Sequence, residues 1–255
     1  MIVDIASDLH VDRWPGTIDW SKNKKSDIII VAGDISDDIN DTVKVVNKLT
    51  DIYEHVLFIE GNHEYQKYFP DLEYTPNFLK RNLSPKVQYL FDKIYIIGDT
   101  AFVAQCGWWN FEFGEPIVHR DISRNEFVKV FSEEMAEKIL KEAVSHTNWL
   151  SMWVDKLQYD DNISKIVVFT HSLPHQDLLS WDIYPESRNN VGNYGNTLYK
   201  NVFKSDIKNK IKLWVFGHNH DSKDKIIENI HMVSNPRGKP RDFNKSNWKQ
   251  ITIEI

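Results

Sequence analysis

Ile28-Ile29-Ile30-Val31-Ala32-Gly33-Asp34-Ile35-Ser36-Asp37 sets an unbroken apolar run against a glycine–aspartate turn. The run is β-branched and too short for a helix, so it reads as a buried strand. The same design recurs on both sides of it. Residues 2–5 run into Ser7-Asp8-Leu9-His10, and residues 56–59 into Gly61-Asn62-His63-Glu64. Residues 163–169 run into Thr170-His171, and residues 211–216 into Gly217-His218-Asn219-His220. Helical patterns lie between these strands, at 41–53, near 77–83, and from about 126 to 157, the last opened by a capping box at Ser123-Arg124-Asn125-Glu126. Residues 92–106 look like two strands joined at Gly98-Asp99, and residues 225–234 and 248–255 add a strand-rich end. No repeat, low-complexity tract or linker interrupts the pattern. One α/β domain over residues 1–255 is expected.

At 255 residues the chain buries enough surface to fold without a metal to hold it together. With 41% hydrophobic and 27% charged residues it is no collagen, disordered chain or disulfide miniprotein. The net charge of −6 gives no global field toward nucleic acid or anionic lipid, although a local basic groove stays open. Cys106 is the single cysteine, which fits a reducing compartment. Asp4 and Asp8 interrupt the N-terminus where a signal peptide needs apolar sequence, and the apolar runs are strand-sized. A cytoplasmic protein away from membranes is expected, with its oligomeric state open.

The polar residues at the strand ends carry the chemistry. In chain order they are Asp8, His10, Asp34, Asn62, His63, His171, His218 and His220, with five of the ten histidines among them. Ligands of open α/β sheets bind at that edge. A single histidine there is more often structural, but such residues at five strand ends are not easily coincidence. In an extended chain, Asp8-x-His10 and His218-x-His220 each place two donors on one side. Carboxylate, imidazole and amide oxygen together suit a borderline divalent ion such as manganese, iron or zinc.

Asp8-x-His10, Gly33-Asp34-x-x-Asp37, Gly61-Asn62-His63-Glu64, Thr170-His171 and Gly217-His218-x-His220 match in order the five motifs of the calcineurin-like metallophosphoesterases, which this chain resembles. The resemblance implies a four-layer α-β-β-α sandwich with two divalent ions at the strand ends; Mn, Fe and Zn are favoured, and Ni, Co and Mg are alternatives. It implies that Asp8, His10, Asp34 and His220 hold one ion, that Asp34, Asn62, His171 and His218 hold the other, and that Asp34 bridges. His63 resembles the catalytic histidine that touches phosphate or leaving group, and Asp37 the carboxylate that orients it. A hydroxide bridging the ions would attack phosphorus in line. Two dications against Asp8, Asp34 and that hydroxide leave about +1 in an otherwise acidic protein.

Further residues are weighed against packing. Trp109 and Asn110 lie where the family keeps a substrate-side loop, and His175 and Arg188 lie in a polar stretch after His171, where either suits a phosphate or leaving group. Arg237, Lys239, Arg241, Lys245 and Lys249 form a basic cluster better read as solvated surface. The expected activity is hydrolysis of a phosphate ester, with a small phosphodiester or nucleotide-like molecule as the expected substrate. The first rival is a Ser/Thr protein phosphatase, but Asp38 and Ile39 stand where those enzymes place Arg-Gly. A nuclease and a catalytically silent scaffold are the others.

Overall fold

The computed structural model describes residues 1–113, 132–179, 192–242 and 247–255. The apolar runs form two sheets lying face to face. The first has the order β11-β1-β2-β3-β4, comprising β1 (Ile2–Ala6), β2 (Ile28–Ala32), β3 (His55–Ile59), β4 (Val87–Tyr89) and β11 (Ile251–Glu254). All its pairings are parallel except β11 against β1. The second has the order β5-β6-β7-β8-β10-β9, from β5 (Ile94–Ile97), β6 (Thr100–Gln105), β7 (Lys165–Thr170), β8 (Ile211–Phe216), β9 (Lys223–Ile227) and β10 (Ile230–Ser234). Its β6-β7-β8-β10 centre is parallel and its two edges are antiparallel. The expected two-sheet α/β sandwich is therefore observed.

Strand periodicity explains the layers. In β2, Ile28, Ile30 and Ala32 enter the layer between the sheets, where they meet Val167 and Phe169 of β7 and Leu213 and Val215 of β8. Ile29 and Val31 point the other way, into a layer with Ile39, Val46 and Leu49 of helix α1 (Ile39–Leu49) and Leu79 of α2 (Tyr74–Asn82). Ile166 and Val168 likewise pack against Leu150, Val154 and Leu157 of α3 (Glu133–Gln158) and Val202 of α4 (Lys200–Ser205). Strands buried on both faces cannot alternate with polar residues, hence the continuous apolar runs.

Helix ends differ from expectation for local reasons. α1 starts at Ile39 because Asp38 caps it, accepting from the Asn40 amide at 3.0 Å. α2 starts at Tyr74, with Pro76 tolerated in its first turn. α3 begins at Glu133 behind Ser132, whose hydroxyl accepts from the Met135 amide, and the expected start near 126 lies outside the described residues. The capping box at 123–126 lies outside the described residues.

Candidate metal centre

Parallel pairing points the C-terminal ends of β1, β2, β3, β7 and β8 the same way, and the sandwich brings the two sets of ends together. The backbone then turns sharply. Asp8, His10, Asp34, His218 and His220 have φ of 48°, 41°, 55°, 72° and 47°. The donor pairs therefore converge through left-handed turns beyond β1 and β8, not through extended alternation. Aspartate and histidine enter this region more readily than most residues, at about 1–3 kcal/mol each, and tertiary contacts hold them there. The Asp8 amide donates to the Gly33 carbonyl at 2.9 Å, and the His218 amide to Asp8 Oδ1 at 2.8 Å across the sandwich. Side chains at the glycines would intrude: a Cβ on Gly61 would meet the Asp34 amide at 2.7 Å, and one on Gly217 would meet Asp8 Oδ2 at 2.6 Å.

Ligand atoms of Asp8, His10, Asp34 and His220 lie within 4.8 Å of one another, as do those of Asp34, His171 and His218. Asp34 belongs to both groups. Asn62 joins the second: its Oδ1 lies 2.8 Å from His218 Nδ1 and 3.1 Å from His171 Nε2. A third group, His10, Asp37 and His63, meets the same distance test.

The donors fit a cation. His218 Nε2 donates to the Asn193 carbonyl at 2.9 Å, and burial lowers its ring to about 3, so Nδ1 presents a lone pair to the carbonyl oxygen of Asn62. His171 Nε2 lies 3.3 Å from the same Nδ1, so His218, Asn62 and His171 turn three potential donor atoms toward one point that a cation could occupy. His220 Nδ1 is held by Asp242 Oδ2 at 2.5 Å, turning Nε2 toward His10 Nε2 at 2.9 Å, and burial keeps His10 neutral, near 2. Asp8 Oδ2 is buried with no hydrogen-bond partner among the described residues.

His171 differs. Burial opposes its charge, but Asp34 Oδ2 at 3.2 Å outweighs burial and lifts the ring to about 10. Its Nδ1 donates to the Ala32 carbonyl, so the proton on Nε2 is the one an ion displaces. Asp34 thus favours the charged ring at pH 7, and a bound ion would take the place of its Nε2 proton. Divalent-ion binding at pH 7 is therefore expected to release about one proton per chain from His171, with affinity rising as pH rises toward 10. Calorimetric titrations in two buffers of different ionisation enthalpy measure this, and identical apparent heats would refute it.

His63 sits beside the candidate ligands. Its amide donates to Asp34 Oδ1 at 2.8 Å, and its Nδ1 meets Asp37 Oδ1 at 2.5 Å, leaving Nε2 3.8 Å from Asp34 Oδ2. Burial works against the Asp37 charge, but His63 and Arg13 hold the carboxyl near 2. Trp109 is buried with its ring stacked on His218, centroids 5.2 Å apart. Asn110 turns inward, its amide donating to Thr197 Oγ1 at 2.8 Å and to Glu112. His175 accepts from the Asp177 amide and lies near Phe203. Arg188 lies outside the described residues.

Two carboxylates at the centre carried no role in the sequence reading. Glu64, wholly buried, accepts from the amides of Gly61, Asp34, Ile35 and Ser36 and from Thr42 Oγ1, locking the β2 and β3 turns together. Its place in Gly-Asn-His-Glu was the available signal. Asp242 orients His220 from a loop with no motif, so nothing local marked it.

A family model described as calcineurin-like phosphoesterase matches residues 1–222. The chain belongs to that family. This calcineurin-like phosphoesterase is 24% identical over 270 residues to an uncharacterized protein of Acanthamoeba polyphaga mimivirus, covering 96% of this chain and 94% of that one. Among solved structures it resembles a phosphopantetheinyl hydrolase from Mycobacterium tuberculosis, with TM-score 0.68, 16% identity and coverage of 98% and 95%. A putative 5′-nucleotidase from Staphylococcus aureus matches at TM-score 0.47 and 16% identity, over 93% of the phosphoesterase and 49% of that chain. No described helix of the phosphoesterase is long and apolar enough to cross a membrane.

Proposed function

We propose that this phosphoesterase works with two divalent ions on a small phosphodiester or nucleotide-like substrate. The observation that carries the reading is Asp34, whose carboxylate belongs to both ligand groups. Asp8, His10, Asp34 and His220 would hold one ion, and Asp34, Asn62, His171 and His218 the other. Bound ions would neutralise phosphoryl charge and activate water for in-line attack. The chain's own residues do the rest. Asp37 turns His63 so that Nε2 meets the substrate, where it positions the phosphoryl group or protonates the leaving oxygen. Trp109 braces the His218 ring by stacking on it.

Substrate class rests on the Asp38 position. In place of an arginine for a phosphopeptide, Asp38 caps α1 and pairs with Lys67 at 3.1 Å. The acidic balance disfavours a nuclease. The test is turnover of mono- and diesters, nucleotides, a phosphopantetheinyl ester and a phosphopeptide across Mn²⁺, Fe²⁺, Zn²⁺, Ni²⁺, Co²⁺ and Mg²⁺. Fastest cleavage of a small diester or nucleotide is expected. A phosphopeptide cleaved much faster than any diester would install the protein-phosphatase reading instead, and no turnover with any ion would leave a silent scaffold.

A further inference from the structure

Lys239 stands in the basic cluster read as surface, yet its Nζ lies 3.4 Å from His63 Nε2. With Nδ1 of His63 committed to Asp37, Nε2 is the edge of the ring that meets substrate, and Lys239 brings a cation to the same point. We propose that Lys239 is a substrate-binding residue, its ammonium holding a non-bridging phosphoryl oxygen beside His63. This deepens the phosphoesterase reading and rests on it.

Three observations support the assignment. The first is that the ammonium is available. Among the described residues Lys239 has no ion pair with a carboxylate, whereas Arg13 is engaged by Asp12 and Asp37 and Arg237 stacks on Trp14 at 4.6 Å. Second, the residue is tied to the ligands. Its amide donates to Asp242 Oδ2 at 2.7 Å, the same carboxylate oxygen that holds His220. The neighbouring Gly238 amide donates to the Asp8 carbonyl at 2.8 Å, and the Arg237 amide to the Ser7 carbonyl at 3.0 Å. Trp14 Nε1 closes the loop from outside, donating to the Gly238 carbonyl at 2.8 Å. Displacing Lys239 would therefore drag the backbone that carries Asp8. Third, nitrogens 3.4 Å apart can be bridged from one side by a single oxyanion. A lysine ammonium is a compact, strongly charged donor, and a phosphoryl oxygen accepts from it and from the imidazole at once.

The test uses the whole metal-loaded chain and inorganic phosphate as the probe. Lys239→Met is expected to weaken phosphate binding by about 10–100-fold by calorimetry, the scale of one lost charge-assisted hydrogen bond, with a matching rise in KM. Metal content and melting temperature should match the wild type, and Lys239→Arg should recover most of the phosphate affinity. Equal phosphate affinity in wild type and Lys239→Met would reject the assignment while leaving the phosphoesterase reading standing. Loss of metal in Lys239→Met, or an Arg variant as weak as Met, would also reject it, because the residue would then be structural. A wild type that neither binds phosphate nor cleaves any ester would end the phosphoesterase reading and this inference together.

Discussion

His63→Ala is expected to keep both ions and lose about 10²–10⁴-fold in kcat, the range over which a positioned acid or base acts. The geometry behind this is specific. His63 takes its ring orientation from Asp37 at 2.5 Å and its backbone position from Asp34 Oδ1, while Nε2 stands 3.8 Å from Asp34 Oδ2, beside the candidate ligands. A proton on Nε2 matters only when the leaving oxygen needs one. The loss should therefore shrink for esters whose leaving groups are very acidic. Asp37→Asn should cost less, since it loosens the ring without removing it. The competing arrangement is equally definite: His10, Asp37 and His63 could themselves surround an ion. Elemental analysis of His63→Ala separates the two. An ion lost with the ring makes His63 a ligand, and full kcat on a poor leaving group with both ions present removes it from the chemistry.

Asp34→Asn is the variant that should empty both sites. One carboxylate has two oxygens, and here Oδ2 faces His171 while Oδ1 takes the His63 amide, with the Asp8, His10 and His220 donors on the other side. An amide keeps one oxygen and loses the charge that holds His171. Affinity at each site should fall by more than the about 10–100-fold typical when only a hydrogen bond behind a ligand is removed. Asp8→Asn should weaken mainly one site, because Asp8 belongs to one group. Wild-type protein loaded with metal should carry two ions per chain by elemental analysis. A single ion in the wild type, or one site left at full strength in Asp34→Asn, would refute a shared carboxylate.

The two sheets were legible because their central strands are buried on both faces. Such a strand must be apolar throughout, as Ile28–Ala32 is, and that pattern is local. β4 escaped notice because Val87–Tyr89 is three residues at a sheet edge, too short to carry a period. The start of α1 moved by two residues, from 41 to Ile39, because capping by Asp38 outweighs apolar spacing at an end. Arg188 and the expected capping box at 123–126 lie outside the described residues.

At the centre the division is sharper. By itself the amino-acid sequence determined which polar residues stand at the strand ends, because each follows an apolar run directly and chain order preserves the motifs. How their atoms converge was decided only in three dimensions. The left-handed turns at Asp8, His10, Asp34, His218 and His220 are strained, and they persist because amides and carbonyls from the other strand ends hold them. Glu64 gathers donors from two turns thirty residues apart in sequence, and Asp242 and Lys239 reach His220 and His63 from a loop that no local pattern connects to them. A residue's identity and its neighbours along the chain are local facts. Which side chain stands behind a candidate ligand, and which cation comes to lie beside His63, depend on contacts made only when the sandwich closes.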